Sequence, residues 1–173
     1  MILNRSEKMR NQEDQELSLS VQENILKAAE AVFAQKGYAG TRISEIAKKG
    51  QVNQALIHYY YENKEKLYQA VLAPLIDKWQ KYVQSTQWVG DNPRQIIRQF
   101  IYTHCAYHFR YPSLYKLAKW EELEGKDLFD MPFFNQDVRE KVAALIKWQK
   151  NGQLSPNINP GTLQYMIWGM IQQ

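Results

Sequence analysis

Thiol is almost absent from this chain. Cys105 is its only cysteine, which excludes an internal disulfide and suits a reducing compartment. Glycine and proline are also scarce, at eight and six of 173 residues, and the long stretches without either favour an all-helical fold. No apolar run approaches the roughly 18 residues that a membrane span needs. The opening Met1-Ile-Leu-Asn-Arg-Ser-Glu-Lys lacks the apolar core of a secretory leader. A cytoplasmic protein with no membrane partner is therefore expected. A large excess of one charge is missing too: 22 basic against 18 acidic residues leave +4, which suits a nucleic-acid partner without requiring one. There is no glycine-rich phosphate loop, and nothing around Cys105 identifies an activated nucleophile, so neither an enzyme nor a cofactor is expected.

What is present is ordinary in bulk and informative in placement. An apolar fraction of 45% with 23% charged residues is that of a globular protein, long enough for one large domain or two small ones. Between residues 36 and 66, six basic side chains face three acidic ones. Residues 1–19 are polar and aperiodic and read as a flexible tail. Its Arg5, Lys8 and Arg10 are outnumbered by Glu7, Glu13, Asp14 and Glu16, which argues against a basic DNA-binding arm.

From Ser20 to Lys36 the apolar residues Ile25, Ala29, Val32 and Phe33 fall on one helical stripe, and Gly37 stops the helix in the manner of a C′ glycine. Thr41 is placed to cap a short helix whose inner face is Ile43, Ile46 and Ala47. Asn53 caps a second short helix, and Asn63 a longer one from Lys64 to about Thr86 that must accommodate Pro74. Asn92-Pro93 opens a helix to about Arg110. Tyr111-Pro112 breaks the chain before a helix over 113–124, and 125–132 is a looser connection. Residues 133–151 carry Val138, Val142, Leu145 and Ile146 on one stripe. Asn159-Pro160 opens a last helix bearing Leu163, Met166, Ile167, Met170 and Ile171. That stripe is still apolar at Gln173, as expected of a chain that continues, of a helix completed by packing in an oligomer, or of both.

Two helices of under three turns joined by a tight turn, followed by aromatics and a lysine opening a third helix, are the layout of a helix-turn-helix. Such a unit places one exposed helix face in the major groove while its flanks hold phosphates. Val52, Ile57 and Tyr61 are expected inside with Phe33 and Ile46. That leaves Gln54, Ala55, Leu56, His58 and Tyr59 toward solvent or DNA. Gln54 can pair with adenine through two hydrogen bonds, and Ala55 and Leu56 suit a thymine methyl. Thr41, Arg42, Ser44, Tyr59, Tyr60 and Lys64 are placed for phosphate, Lys64 helped by the helix amino end beside it. The plainer alternatives are that the three tyrosines fill a core and that Lys64-Glu65-Lys66 is a solvated face.

The run Ile25-Leu-Lys-Ala-Ala-Glu-Ala-Val-Phe33, with Gly37-Tyr38, Thr41, Ile46-Ala47, Val52 and Tyr59 to Lys64-Glu65, resembles the TetR family of transcriptional repressors. The likeness covers about 50 residues. It implies a three-helix DNA-binding domain over 20–66, a helical ligand-binding and dimerisation domain over 67–173, and a homodimer on a palindromic operator. One departure stands out. The family turn is usually Ala-Gly-Val-Ser, with a left-handed glycine, whereas this chain has Gly50-Gln51-Val52-Asn53. Either Gln51 takes positive φ or the turn shifts to use Gly50.

Pairing two such units would set their recognition helices about 34–36 Å apart on successive grooves, with 133–151 and 160–173 as the dimer surface, unless those stripes are intrachain core. The middle helices are rich in amphipathic residues. Trp79, Tyr82, Tyr102, His104, Tyr107, His108 and Trp120, with Trp88, are candidates for holding a small organic ligand; as core they would need no ligand. Two rivals remain: a DNA binder regulated by a protein partner, and a metalloprotein built on His104 and His108 with Glu121, Glu122 and Glu124. The histidine pair has neither the glutamate placement of a metalloprotease nor the cysteines of a structural zinc site, so no metal is expected.

Overall fold

The computed structural model describes the backbone of residues 3–85, 92–125 and 132–171, and the side chains among them other than 3–14, 85, 132–137 and 168. Eight helices are described and no strand: α1 (Leu3–Gly40), α2 (Ile43–Gly50), α3 (Gln54–Tyr61), α4 (Lys64–Ser85), α5 (Pro93–Arg110), α6 (Pro112–Leu123), α7 (Pro132–Lys150) and α8 (Pro160–Ile171). None of them is long and apolar enough to cross a membrane. The chain divides into two compact units, 1–74 and 75–173. The division falls at Pro74, inside α4, some residues beyond the boundary expected from sequence. Pro74 has no N–H to give to the carbonyl one turn earlier, so the ladder is weakest there.

Most helix limits follow the local signals. Asn53 Oδ1 accepts the Ala55 N–H at 3.0 Å, Asn63 Oδ1 that of Lys66 at 2.9 Å, and Asn92 Oδ1 that of Arg94 at 3.1 Å. Each satisfies a donor that the first helical turn leaves open. Inside α1 Gly37 takes φ 72° and ψ 177°, a positive-φ conformation open chiefly to glycine, so the helix is interrupted by a kink where the sequence signals a stop. Two further expectations change. Helix α1 is already helical from Leu3, where the sequence reads as tail, because Gln, Glu, Lys and Arg are good helix formers even without an apolar stripe to pack. The cap of α2 is Arg42, not Thr41.

In the N-terminal unit, Ile25, Ala28, Ala29, Val32 and Phe33 of α1 are buried with Ile46 and Ala47 of α2, Ile57 of α3, and Leu67, Tyr68 and Val71 of α4. Tyr68 meets Phe33 edge-on at 4.9 Å and Tyr38 at 5.1 Å. Short helices such as α2 and α3 are marginal alone and are held by this shared core.

In the C-terminal unit, the expected stripes of α7 and α8 divide. Leu145 is buried beside Trp148 and Ile96, and Ile167 and Ile171 pack with Phe100. Val138, Ile146, Met166 and Met170 remain exposed, as does Tyr165. A stripe wider than one neighbour covers leaves an apolar remainder on the surface. Trp88 lies outside the described residues.

Candidate nucleic-acid interface

The turn between α2 and α3 resolves the displaced glycine. Gly50 stays helical because it is the point of closest approach to α1. A Cβ there would lie 3.2 Å from the Ala28 Cβ, and Asn24 Nδ2 donates to the Gly50 carbonyl at 2.6 Å. Gln51 therefore takes the left-handed conformation, φ 53° and ψ 40°, at a cost of about 1 kcal/mol for a residue with a side chain. The Val52 N–H then returns to the Ala47 carbonyl at 3.0 Å. Val52 is half-buried and Ile57 fully buried, so α3 is seated by its inner face.

On its outer face α3 presents Gln54, Ala55, His58 and Tyr59, all exposed, Tyr59 to 77%. These positions, at i, i+1, i+4 and i+5, form one contiguous strip. His58 Nδ1 lies 3.1 Å from the Glu62 carbonyl. A carbonyl only accepts, so Nδ1 carries a proton, and Nε2 is the ring nitrogen left to face outward. The end of α3 is a tight reversal. Glu62 has φ 58° and ψ −54°, and the Asn63 N–H reaches the Tyr61 carbonyl, a γ-turn of the strained positive-φ kind.

Four of the expected contacts sit differently. Thr41 is 2% exposed, and its hydroxyl donates to the Gly37 carbonyl at 2.7 Å, so its oxygen is committed inside the fold and not offered to phosphate. The Lys64 ammonium donates to the Tyr38 and Thr41 carbonyls at 2.8 and 3.1 Å and rests 4.3 Å from the centre of the Tyr38 ring. Two of its three protons hold the link between α1 and α2, and one is left for a phosphate. The half-buried Tyr60 has its hydroxyl 3.1 Å from Ser18 Oγ, and Leu56 is half-buried. Spacing along a helix shows which residues share a face, but not which backbone carbonyls another segment brings within reach of a side chain.

Arg42 and Ser44 are exposed at the start of α2. Glu45 bridges this start of the helix: Lys36 bonds one carboxylate oxygen, the Arg42 N–H donates to the other at 3.4 Å, and chiefly the Lys36 hydrogen bond holds its pKa below the usual carboxylate range. The exposed Lys48 and Lys49, in the last turn of α2, are cations that the sequence reading left unassigned. Their adjacency to the turn was the available signal.

The residues expected around a ligand are brought together in part. Trp79, His104 and Tyr107 are buried, and Tyr82, His108 and Trp120 are half-buried. Tyr102 is 70% exposed: Phe100, Thr103, His104 and Tyr107 form the inner face of α5, and position 102 turns away from it. Rings link the three helices, with Trp79 to His104 at 5.9 Å, Tyr82 to Tyr107 at 4.9 Å and His108 to Tyr115 at 4.5 Å. Tyr115, one turn into α6, was missed because nothing local separates a core tyrosine from a ligand-facing one. His104 Nδ1 donates to the Phe100 carbonyl at 2.9 Å. Burial, with a contribution from Lys141, lowers its pKa to about 3, so the ring is neutral. Among the described residues no three His, Cys, Asp or Glu side chains gather as a metal site would require, which leaves the His104 and His108 pair without a third donor.

Comparison with known proteins agrees with this geometry. Residues 25–71 match the model described as bacterial regulatory proteins, tetR family, and residues 97–173 the tetracyclin repressor-like C-terminal domain. The chain is 34% identical over 152 residues to the HTH-type transcriptional regulator RutR of Escherichia coli K12, covering 86% of this chain and 70% of that one. It is 31% identical over 148 residues to the HTH-type transcriptional repressor SCO4008 of Streptomyces coelicolor, covering 84% and 73%. The solved structure of HlyIIR, a hemolysin II transcriptional regulator, superposes with a TM-score of 0.68 at 27% identity, over 90% of this chain and 87% of that one. AibR in complex with isovaleryl coenzyme A and operator DNA shares the fold, with a TM-score of 0.66 at 22% identity, over 88% and 83%. With a helix-turn-helix of this geometry and these relatives, the chain belongs to the TetR family of DNA-binding bacterial transcriptional regulators.

Proposed function

We infer that the protein is a homodimeric repressor that reads a palindromic operator through α3 and leaves it when a small molecule binds the C-terminal unit. The observation that carries the DNA reading is the contiguous exposed strip Gln54, Ala55, His58 and Tyr59 on a helix whose other face, Leu56, Ile57, Tyr60 and Tyr61, is half-buried or buried. In this reading Gln54 and His58 Nε2 meet base edges, and Ala55 admits close approach. Arg42, Ser44 and Tyr59 hold phosphates, with Lys48 and Lys49 added to the original set. Lys64 contributes its one remaining proton and mainly positions the others.

Dimerisation is supported by the exposed apolar residues of α7 and α8, Val138, Ile146, Tyr165, Met166 and Met170, a self-complementary surface of the kind that a two-fold axis buries. Ligand response is supported by the aromatic cluster between α4, α5 and α6. It is also supported by analogy with AibR, whose structure holds both isovaleryl coenzyme A and operator DNA. A ligand would act by favouring a conformer whose two recognition helices no longer fit both grooves, to the extent that it binds that conformer more tightly.

Selection from randomised duplex DNA tests this. The expected outcome is enrichment of an inverted repeat with half-sites about one helical turn apart, roughly 34–36 Å. Recovery of unrelated sequences, or binding as a monomer to single half-sites, would overturn it.

A further inference from the structure

Among the described residues of the C-terminal unit the buried Tyr107 hydroxyl and His108 Nδ1 have no hydrogen-bond partner, and the buried Tyr115 hydroxyl, which takes the Trp79 indole N–H, finds no acceptor for its own proton. Tyr107 is 1% exposed and Tyr115 4%. They lie close together. Tyr107 and His108 are consecutive on α5, and the His108 ring stands edge-on to Tyr115 of α6 at 4.5 Å. Native proteins leave few such atoms unmatched, because each has given up water and received nothing in return. When several gather among aromatic rings, a guest that supplies the missing partners is the natural completion.

The chemistry of that guest follows from the three atoms. Both phenols are held in their protonated form, Tyr107 with its pKa raised to about 12 and Tyr115 higher still, in each case chiefly by burial. They are hydrogen-bond donors looking for oxygen or nitrogen acceptors. Among the described residues the electrostatic neighbours of the two phenols are other tyrosines and Cys105, not a charged side chain. Lys141 and Glu121, the buried charged side chains among the described residues of this unit, already engage other groups. A carboxylate or an ammonium placed here would lose its hydration without a counter-ion.

We propose that the Tyr107, His108 and Tyr115 cluster binds an uncharged small molecule, one that carries carbonyl or hydroxyl oxygens on a compact apolar body. This rests on the ligand-responsive reading above and narrows it to a class. Tyr115 is the anchoring residue, with Tyr107 as the second donor.

The test is a thermal-unfolding titration of the full chain with benzamide, benzoate and benzylamine, which share one skeleton and differ in charge. Millimolar benzamide is expected to raise the midpoint by about 2 °C or more, and the charged analogues to leave it in place. Tyr115→Phe leaves the buried Trp79 N–H without its acceptor, so its midpoint is expected to be lower than that of the unaltered chain, and it should lose the benzamide shift. Tyr107→Phe repeats the measurement should Tyr115→Phe fold poorly. An equal or larger shift with benzoate or benzylamine overturns the proposal. So does a benzamide shift that survives both substitutions, or the absence of any shift. Failure of the repressor reading looks different: benzamide binds and shifts the midpoint, but the protein selects no operator.

Discussion

Around the helix-turn-helix, Asn24, Thr41, Asn53 and Lys64 each hold a named backbone group. In the C-terminal unit, by contrast, Tyr107 and His108 keep buried polar atoms without partners among the described residues, and Tyr115, bonded by the Trp79 indole, keeps a proton without an acceptor. The contrast is between a part that must present one geometry and a part that has reason to accept a guest. A recognition helix placed wrongly by an ångström loses its base contacts, so the side chains behind it are committed to holding it. Unmatched polar atoms near aromatic rings hold nothing, and they lower the barrier to discriminating among small molecules.

The largest expected effect tests the committed side. Lys64→Met removes the charged donor from the Tyr38 and Thr41 carbonyls and should lower stability by about 2–3 kcal/mol in urea unfolding. It should also weaken binding to every DNA sequence. If stability is unchanged and only the salt dependence of binding falls, by about one in slope, Lys64 is a phosphate ligand and the contrast loses its best example.

Next is Gln54→Ala, expected to cost about 1–3 kcal/mol of operator affinity at particular base pairs and little on random DNA. Equal losses on both would remove Gln54 from base reading.

The buried imidazole of the C-terminal unit supplies a pH test. His104 takes up a proton near pH 6.5 in the unfolded chain but only near pH 3 when folded. The unfolded state therefore binds the extra proton over that interval. The stabilisation is complete above about pH 6.5 and is lost as the pH falls toward 3. Between pH 7 and pH 5 the loss attributable to His104 should be about 2 kcal/mol. It should be absent in His104→Gln, as read from urea midpoints at each pH. A variant with the same slope as wild type would place the titration elsewhere.

The smallest effect concerns the turn. Gln51→Gly should stabilise the protein by up to about 1 kcal/mol by relieving the left-handed backbone. Gly50→Ala should destabilise it through the close contact with Ala28. If the two effects are reversed, Gly50 and not Gln51 carries the turn.

These residues also show what was legible in advance. Asn53, Asn63, Asn92 and Asn159 each stand directly before the first residue of a helix, because a cap acts on its own first turn. The outward face of α3 was readable for the same reason, since 3.6-residue periodicity assigns Ile57 and Tyr59 to opposite sides without reference to any neighbour. Thr41 and Lys64 were misplaced because the carbonyls that engage them come from the bend after Gly37, which the local sequence of neither helix describes. Residue type alone does not separate the exposed Tyr102 from the buried Tyr115, because an aromatic residue in a helical run can face inward or outward with equal ease.

What the amino-acid order determined by itself was therefore local: eight helical segments, their caps, a short-helix pair with a basic and aromatic margin, and the likeness to a family that those features carry. What only the tertiary structure decided was the use of each polar group. The approach of α1 to within contact of Gly50 transfers the left-handed conformation to Gln51, and folding of the first bend over α4 turns Lys64 into a clamp. Packing of α4, α5 and α6 strips water from two phenols and an imidazole. Each outcome depends on distances between segments far apart in the chain, and helical periodicity carries no information about those distances.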